Sequence, residues 1–287
     1  MAQDVRSVAV LGLGAMGSGM AHRILDAGLK LTVWNRSPQK TEPFQDTAAT
    51  IAPTPESAVK DADAVITMLF DGNVVREVMT RALPAMTERA IWMQSATVGI
   101  QSTKELAAMA DQAGVRYVDS PVLGTKQPAA TGNLIPLLAG PDDAVSELAP
   151  LLAALSKRQV RVGDAAPAGS SLKLAVNAWI ATITAGIAQS LTIADRLGVD
   201  PSLVLAAIDG TQTNSPYAQL KGREILDDNF DPQFEVLGIL KDVRLARAET
   251  PEMVDSLLAV LESLYAAASG AGHGKEDIAA VWKTFQH

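Results

Sequence analysis

"VAVLGLGAMGSGMA", residues 8–21, decides the fold. A β-rich run ("SVAVLG") leads into it and an amphipathic stretch, residues 15–27, leaves it. Gly12, Gly14 and Gly17 stand in G-x-G-x-x-G spacing between the two. The first glycine permits a tight turn, the second lets the backbone approach a pyrophosphate, and the third lets helix and strand pack closely while the helix N-terminus faces the anion. Leu13, Ala15 and Met16 complete this candidate cofactor-binding loop. A glycine-rich turn with no ligand is the competing reading, and the agreement of spacing, preceding strand and following helix weighs against it.

Outward from this loop, β-rich runs alternate with helical patterns as far as Gly163: "KLTVWN", "ADAVITML", "AIWMQS", "VRYVDS", "NLIPLLAG" and "RQVRVG". Residues 101–113 read as a helix closed by Gly114, and Thr54 with Pro55 reads as an N-cap followed by the first helical position. Such alternation predicts a doubly wound, mainly parallel sheet covered on both faces. From Leu172 onward no strand is recognisable; helical segments are punctuated by "GVDPS", "NSPYA", "NFDPQ" and "SGAGHG". Pro167 and Gly169 mark the change, so the expected domains are 1–165, α/β, and 166–287, all-α. A long helix over 171–197 heads the second, ending in a basic turn and Gly198.

Composition closes off several functions. A formal charge of −8 argues against a nucleic-acid partner, which would need a basic surface. With no cysteine, thiolate metal sites and cysteine nucleophiles are absent and a reducing cytoplasm suits the chain. The start, "MAQDVRSVAVLGLG", lacks the charged region and cleavage site of a signal peptide. Residues 174–194 approach membrane-span length but carry Asn177, Gln189 and several hydroxyls, so they read as a buried helix and no membrane partner is expected. His22, His273 and His287 form no ligand pattern with nearby carboxylates, and no metal site is expected.

About 20 residues past the glycines, where an acid would hold the ribose of NAD, the chain reads "VWNRSPQK". Asn35, Arg36 and Ser37 offer a cation and hydrogen-bond donors, as the 2′-phosphate of NADP requires; NADP is the expected cofactor and NAD is disfavoured. Met68 and Leu69 ("MLFDG") and Ser95 and Thr97 ("QSATVG") follow further strands, at the edge where doubly wound sheets bind ligands.

"GSSLKLAVN", residues 169–177, sets one lysine at the head of an almost wholly apolar segment. Gly169, Lys173 and Asn177 recur every fourth residue and share a helix face beside the expected domain junction, where a cleft is anticipated. An ammonium there can protonate a substrate oxygen as hydride arrives from a nicotinamide, and as an amine it can take the proton back. Asn177 can fix that amine or touch the substrate. The plainer alternative is a lysine that snorkels to water and pairs with a surface acid. Lys241, beside Asp242 in "GILKDVRLA", either forms a surface ion pair or reaches the cofactor.

Together the glycine loop, "DSPVLGTKQPAATGNL" (119–134), "GSSLKLAVN" and "FEVLGILKDVRLA" (234–246) resemble the β-hydroxyacid dehydrogenase family, nearest its glyoxylate and succinic semialdehyde reductase branch. The resemblance implies an N-terminal Rossmann domain, a long interdomain helix, and a helical C-terminal domain that helps build a homodimer or homotetramer. It also implies that Lys173 is the catalytic lysine, Asn177 its companion, and Lys241 a lysine near the cofactor. Substrate contacts are then expected from Ser120, Leu123, Gly124 and Thr125. Where the family carries Pro-Val-Ser-Gly, this chain has Leu123, which lacks the serine hydroxyl, so recognition of a carboxylate needs a donor from Thr125 or Lys126. Leu237 and Gly238, where relatives often carry polar or aromatic residues, suggest a less polar and roomier pocket. The implied reaction interconverts a small aldehyde or keto acid, of semialdehyde or glyoxylate type, with its hydroxy acid. Two rivals are an imine reductase, which generally carries Asp or Tyr in place of Lys173, and a non-catalytic NADP-binding module.

Overall fold

The computed structural model describes residues 4–254 and 256–286; the first three residues of the "MAQDVRSVAVLGLG" start lie outside them. The chain forms two compact units, Met1–Lys173 and Leu174–His287. The division falls inside one continuous helix, a few residues beyond the change of pattern in the sequence.

Among the described residues all the strands lie in the first unit. They are β1 (Ser7–Leu11), β2 (Lys30–Trp34), β3 (Thr50–Ile51), β4 (Ala64–Thr67), β5 (Ile91–Gln94), β6 (Arg116–Asp119), β7 (Val122–Leu123), β8 (Ile135–Ala139) and β9 (Val160–Gly163). They pair in the order β3-β2-β1-β4-β5-β6-β8-β7, with β9 beside β8. Strands β3 through β6 along this path are parallel, β8 is antiparallel to β6 and β7, and β9 runs parallel to β8. This is the doubly wound order of a Rossmann domain. The seven anticipated runs are all strands, whereas β3 and β7 are only two residues long and too short to show a pattern.

Between the strands lie α1 (Ala15–Asp26), α2 (Pro55–Val59), α3 (Gly72–Ala82), α4 (Ile100–Gln112), α5 (Lys126–Ala130), α6 (Asp142–Glu147) and α7 (Ala149–Leu155). Strand residues alternate between two cores. Val8, Val10, Ile66, Ile91, Met93 and Val118 face one, and Ala9, Leu11, Val65, Trp92 and Tyr117 face the other. Both faces being dry, the central strands β1, β4 and β5 are apolar over most of their length, which is why they read as nearly continuous runs. Local signals act as anticipated: Thr54 caps α2 with its hydroxyl on the Ser57 N–H, and Gly114 closes α4 at φ +68°.

The second unit is helical: α8 (Ala168–Arg196, which begins in the first unit), α9 (Ser202–Ile208), α10 (Pro216–Leu226), α11 (Val236–Glu249) and α12 (Leu257–Ala268). Its extended pairing among the described residues is one isolated bridge, Glu235 to Asp277. By length and composition α8 could cross a membrane, and 44% of its most apolar window is buried against protein. Ile187, Leu191, Leu240, Val243, Leu261, Tyr265 and Ile278 make the core.

A polar knot holds this core. Asp277, fully buried, accepts from Lys221 Nζ (2.7 Å) and from the backbone N–H groups of Gln233 (3.0 Å), Phe234 (3.2 Å) and Ala279 (3.0 Å). Lys221, 1% exposed, also meets Glu224 at 2.7 Å. Removing one partner of such a pair strands the other charge in a dry site. Lys221→Ala should therefore destabilise the protein by about 3–5 kcal/mol, read from the midpoint of urea unfolding.

Candidate active site

Backbone contact explains the glycine loop. A Cβ on Gly12, which sits at φ +105°, would lie 2.3 Å from the Met68 carbonyl oxygen, and one on Gly17 would lie 2.0 Å from the Gly12 carbonyl oxygen. At Gly14 the same atom would meet nothing within 4 Å. Gly12 and Gly17 are thus packing glycines, and Gly14 opens the surface in front of α1. Gly14 and Ala15 are exposed, and α1 begins without a side-chain cap, so no side chain satisfies its first N–H groups. Leu13 has a different part: its side chain is 2% exposed in the core, and its N–H donates to Asn35 Oδ1 (2.9 Å). Asn35 Nδ2 donates to the Ser37 carbonyl (3.0 Å), so the asparagine staples the end of β2 to the glycine loop. Arg36 and Ser37 are exposed beyond it. Met16 is half-buried against the core.

At the carboxyl edge of the sheet, Met68 and Leu69 follow β4 half-buried. Trp92 Nε1 donates to Thr67 Oγ1 (2.9 Å), Gln94 Nε2 to the Ala96 carbonyl (2.7 Å), and the Ala96 N–H to Gln94 Oε1 (2.8 Å). These bonds set the loop that carries Ser95 and Thr97. Ser95 follows β5 and Ser120 follows β6, neighbours in parallel register, and the Ser120 N–H donates to the Gln94 carbonyl (2.8 Å). Both serine hydroxyls are buried and have no partner. Buried hydroxyls are ordinarily bonded, so this unsatisfied pair on the ligand-binding edge fits a bound group with polar atoms.

Leu123 is half-buried in β7 opposite Ile135. Gly124, at φ +119°, leaves no room for a side chain between Leu134 and Pro128. Thr125 precedes α5 without capping it. A Cβ on Gly19 would lie 2.9 Å from the backbone of Ala129 and Ala130, so α5 lies flush on α1. The 123–130 segment is thereby set beside the glycine-loop helix. Sequence reading assigned Gly19 no part; the small residue in "GSGMA" was its signal.

Helix α8 starts hard against the sheet. A Cβ on Gly169 would lie 2.5 Å from the Leu137 carbonyl and 2.9 Å from that of Asp119. Asp119, fully buried, accepts from the Ser170 N–H (2.8 Å) and the Ser170 hydroxyl (2.7 Å). Burial pushes the Asp119 carboxyl up to about 6, against the pull of the Ser170 and Gly169 bonds. Burial and the neighbouring Asp119 charge likewise raise the Tyr117 phenol.

Lys173 is 8% exposed and Asn177 1%, one turn apart along α8. Asn177 Nδ2 donates to Asp242 Oδ2 (2.5 Å), and its buried Oδ1 has no partner. Lys241 Nζ donates to the other Asp242 oxygen (2.7 Å). Asp242 therefore orients the Asn177 amide and leaves its acceptor free, while Lys241, with its side chain 21% exposed, is an ion-pair partner in this cluster. Sequence reading passed over Asp242 except as the neighbour of Lys241, because its link to Asn177 spans 65 residues. Asp119 likewise carries no role in the sequence reading, and an acid ending the run "VRYVD" is the signal available for it. The expected room at Gly238 is taken: a Cβ there would lie 2.7 Å from Phe234 Cε2, because the ring fills that space. His22 stacks on Phe44, His273 pairs with Glu276 at 3.0 Å, and His287 lies outside the described residues.

Residues 7–163 match the family described as the NAD binding domain of 6-phosphogluconate dehydrogenase. Residues 167–285 match that described as the NAD-binding domain of NADP-dependent 3-hydroxyisobutyrate dehydrogenase. Glyoxylate/succinic semialdehyde reductase 1 of Arabidopsis thaliana is 30% identical over 96% of this chain and 96% of its own length. The uncharacterized oxidoreductase YfjR of Bacillus subtilis is 33% identical over 96% of this chain and 98% of its own. Mycobacterium tuberculosis 3-hydroxyisobutyrate dehydrogenase, solved with L-serine, superposes with a TM-score of 0.89 at 26% identity, covering 98% of this chain and 99% of that one. With the glycine loop, the sheet order and the α8 lysine already in place, these matches make the chain a member of the β-hydroxyacid dehydrogenase family, an NAD(P)-dependent oxidoreductase acting on CH–OH groups.

Proposed function

We propose that the protein is an NADPH-dependent reductase of small aldehydes or keto acids, of the semialdehyde or glyoxylate class, with Lys173 as its general acid and base. The observation that carries this reading is the amine of Lys173, buried on α8 one turn from an asparagine whose acceptor oxygen is buried and unpaired. An ammonium held in a site shielded from water stabilises a substrate oxygen as it gains negative charge. Lys173 donates its proton to that oxygen on reduction and takes it back from the alcohol on oxidation. Asn177, its Nδ2 held by Asp242, presents Oδ1 to an ammonium or a substrate hydroxyl. The reductase of Arabidopsis thaliana supports the substrate class by its name. Leu123 leaves carboxylate binding to Thr125 or Lys126 and to backbone N–H groups.

The residues that would hold the dinucleotide are Gly14, Ala15 and Met16 at the pyrophosphate, in the loop that the packing glycines Gly12 and Gly17 shape, Arg36 and Ser37 at the 2′-phosphate, and Met68, Leu69, Ser95 and Thr97 along the sheet edge. When bound, the nicotinamide supplies the hydride. The preference for NADP rests on Arg36 and on the lack of an acid at the end of β2. Self-association into a dimer or tetramer, in a cytoplasmic setting, belongs to the same reading. Trp179 (62% exposed) and Ile193 (49%), about four turns apart on one face of α8, give it apolar surface.

Two outcomes are expected. Lys173→Ala should lower kcat about 10²-fold or more in a spectrophotometric screen of aldehydes and keto acids, with NADPH affinity little changed. An unaltered kcat would favour the non-catalytic module. Arg36→Ala should weaken NADPH by about 10-fold or more, as expected for a lost charge-assisted hydrogen bond, and leave NADH nearly unaffected in fluorescence titrations. Equal affinity of the parent protein for both cofactors would count against the NADP assignment.

A further inference from the structure

We propose that Asp119 is a positioning residue: through Ser170 it clamps the first turn of α8 to the sheet edge and to the 95–99 loop, and so fixes where the amine of Lys173 is delivered. This inference rests on Lys173 being the proton donor.

The clamp is a chain of side chains within the first unit. Asp119 takes the N–H and hydroxyl of Ser170; Ser170 Oγ lies 2.9 Å from Thr103 Oγ1 on α4; and the Thr103 hydroxyl lies 2.7 Å from the Gly99 carbonyl. Asp119, Ser170 and Thr103 are all buried. Three elements of the candidate site meet here. Asp119 ends β6 just before Ser120, Ser170 precedes Lys173 by three residues, and Gly99 closes the loop that carries Ser95 and Thr97. Gly169, with no room for a side chain against the Leu137 and Asp119 carbonyls, brings α8 close enough for the bonds to form.

The proton count suits a positioning role. With Asp119 ionised, Ser170 donates to it, and Thr103 divides one proton between Ser170 and Gly99. With Asp119 protonated, the order reverses: Asp119 donates to Ser170, Ser170 to Thr103, and Thr103 to the Gly99 carbonyl, with every member satisfied. The carboxyl's raised affinity for a proton agrees with this second order. Among the described residues Asp119 forms no salt bridge; its partners are N–H and O–H groups on the element that carries Lys173. A misplacement of about 1 Å in a reacting group can cost 10²-fold in rate, so a clamp one turn from the amine has leverage on kcat.

The test uses the full chain with Ser170→Ala, Asp119→Ala and Asp119→Asn, each alone and combined with Lys173→Ala. The readouts are kcat, NADPH affinity by fluorescence titration, and hydrogen exchange of the amides of residues 170–175. Ser170→Ala and Asp119→Ala should lower kcat about 10-fold or more, speed exchange in that turn, and leave NADPH affinity within about 3-fold. Asp119→Asn can accept from the Ser170 N–H and donate to its hydroxyl, so it should hold kcat within about 3-fold of the parent. In the Lys173→Ala background neither alanine variant should slow the enzyme further. A parent-like kcat in Ser170→Ala overturns the inference, as does a further fall in the Lys173→Ala background or an equal loss of NADPH affinity. Should Asp119→Ala not fold, Ser170→Ala decides. If Lys173→Ala is slow while Ser170→Ala is not, only the positioning role fails; if Lys173→Ala is itself unchanged, the reading of Lys173 fails and takes the positioning role with it.

Discussion

Backbone-to-backbone approach at the head of α1 is the constraint on which the first unit depends. Gly17 lies against the Gly12 carbonyl and Gly12 against the Met68 carbonyl, so strand, turn and helix are locked at distances that exclude any side chain. That lock sets where α1 begins, and α1 in turn receives α5 through Gly19. The uncapped start of α1 and the 123–130 segment are consequently tied through the same helix, and neither shifts without the other.

Polar groups inside the chain divide by whether their bonds are complete. Asp277 accepts from three backbone N–H groups and from Lys221, which also donates to Glu224, and this knot holds the helical unit together. Asp242 is likewise engaged on both oxygens. The hydroxyls of Ser95 and Ser120 and Oδ1 of Asn177 have been left without partners in dry surroundings. In a folded protein such atoms are costly unless a ligand completes them. The sequence points to all three residues, to Ser95 by its place after a strand, to Asn177 by its helix face, and to Ser120 through the family resemblance.

Legibility followed range. The seven longer strands, the Thr54 cap, the Gly114 stop and the glycine loop are set by neighbours in the chain, and the sequence shows them. The two-residue strands β3 and β7 leave no periodicity to detect. Lys173 was visible because a lysine amid apolar residues contradicts its own solvation. The partners that orient the site were not visible. Asp119 meets Ser170 across 51 positions and Asn177 meets Asp242 across 65, and nothing local announces either bond. Asn35 shows the same limit from the other side: its type suggested a ligand donor, yet the fold uses its amide to staple the loop.

The ring of Phe234, lying where a side chain at position 238 would be, ties two positions into one evolutionary unit. Residue 238 can grow only if the ring at 234 shrinks or swings away, so a substitution at either position is felt at the other. Libraries that randomise Gly238 alone sample only what rotation of the Phe234 ring can admit, whereas paired replacements sample the whole space the ring now fills.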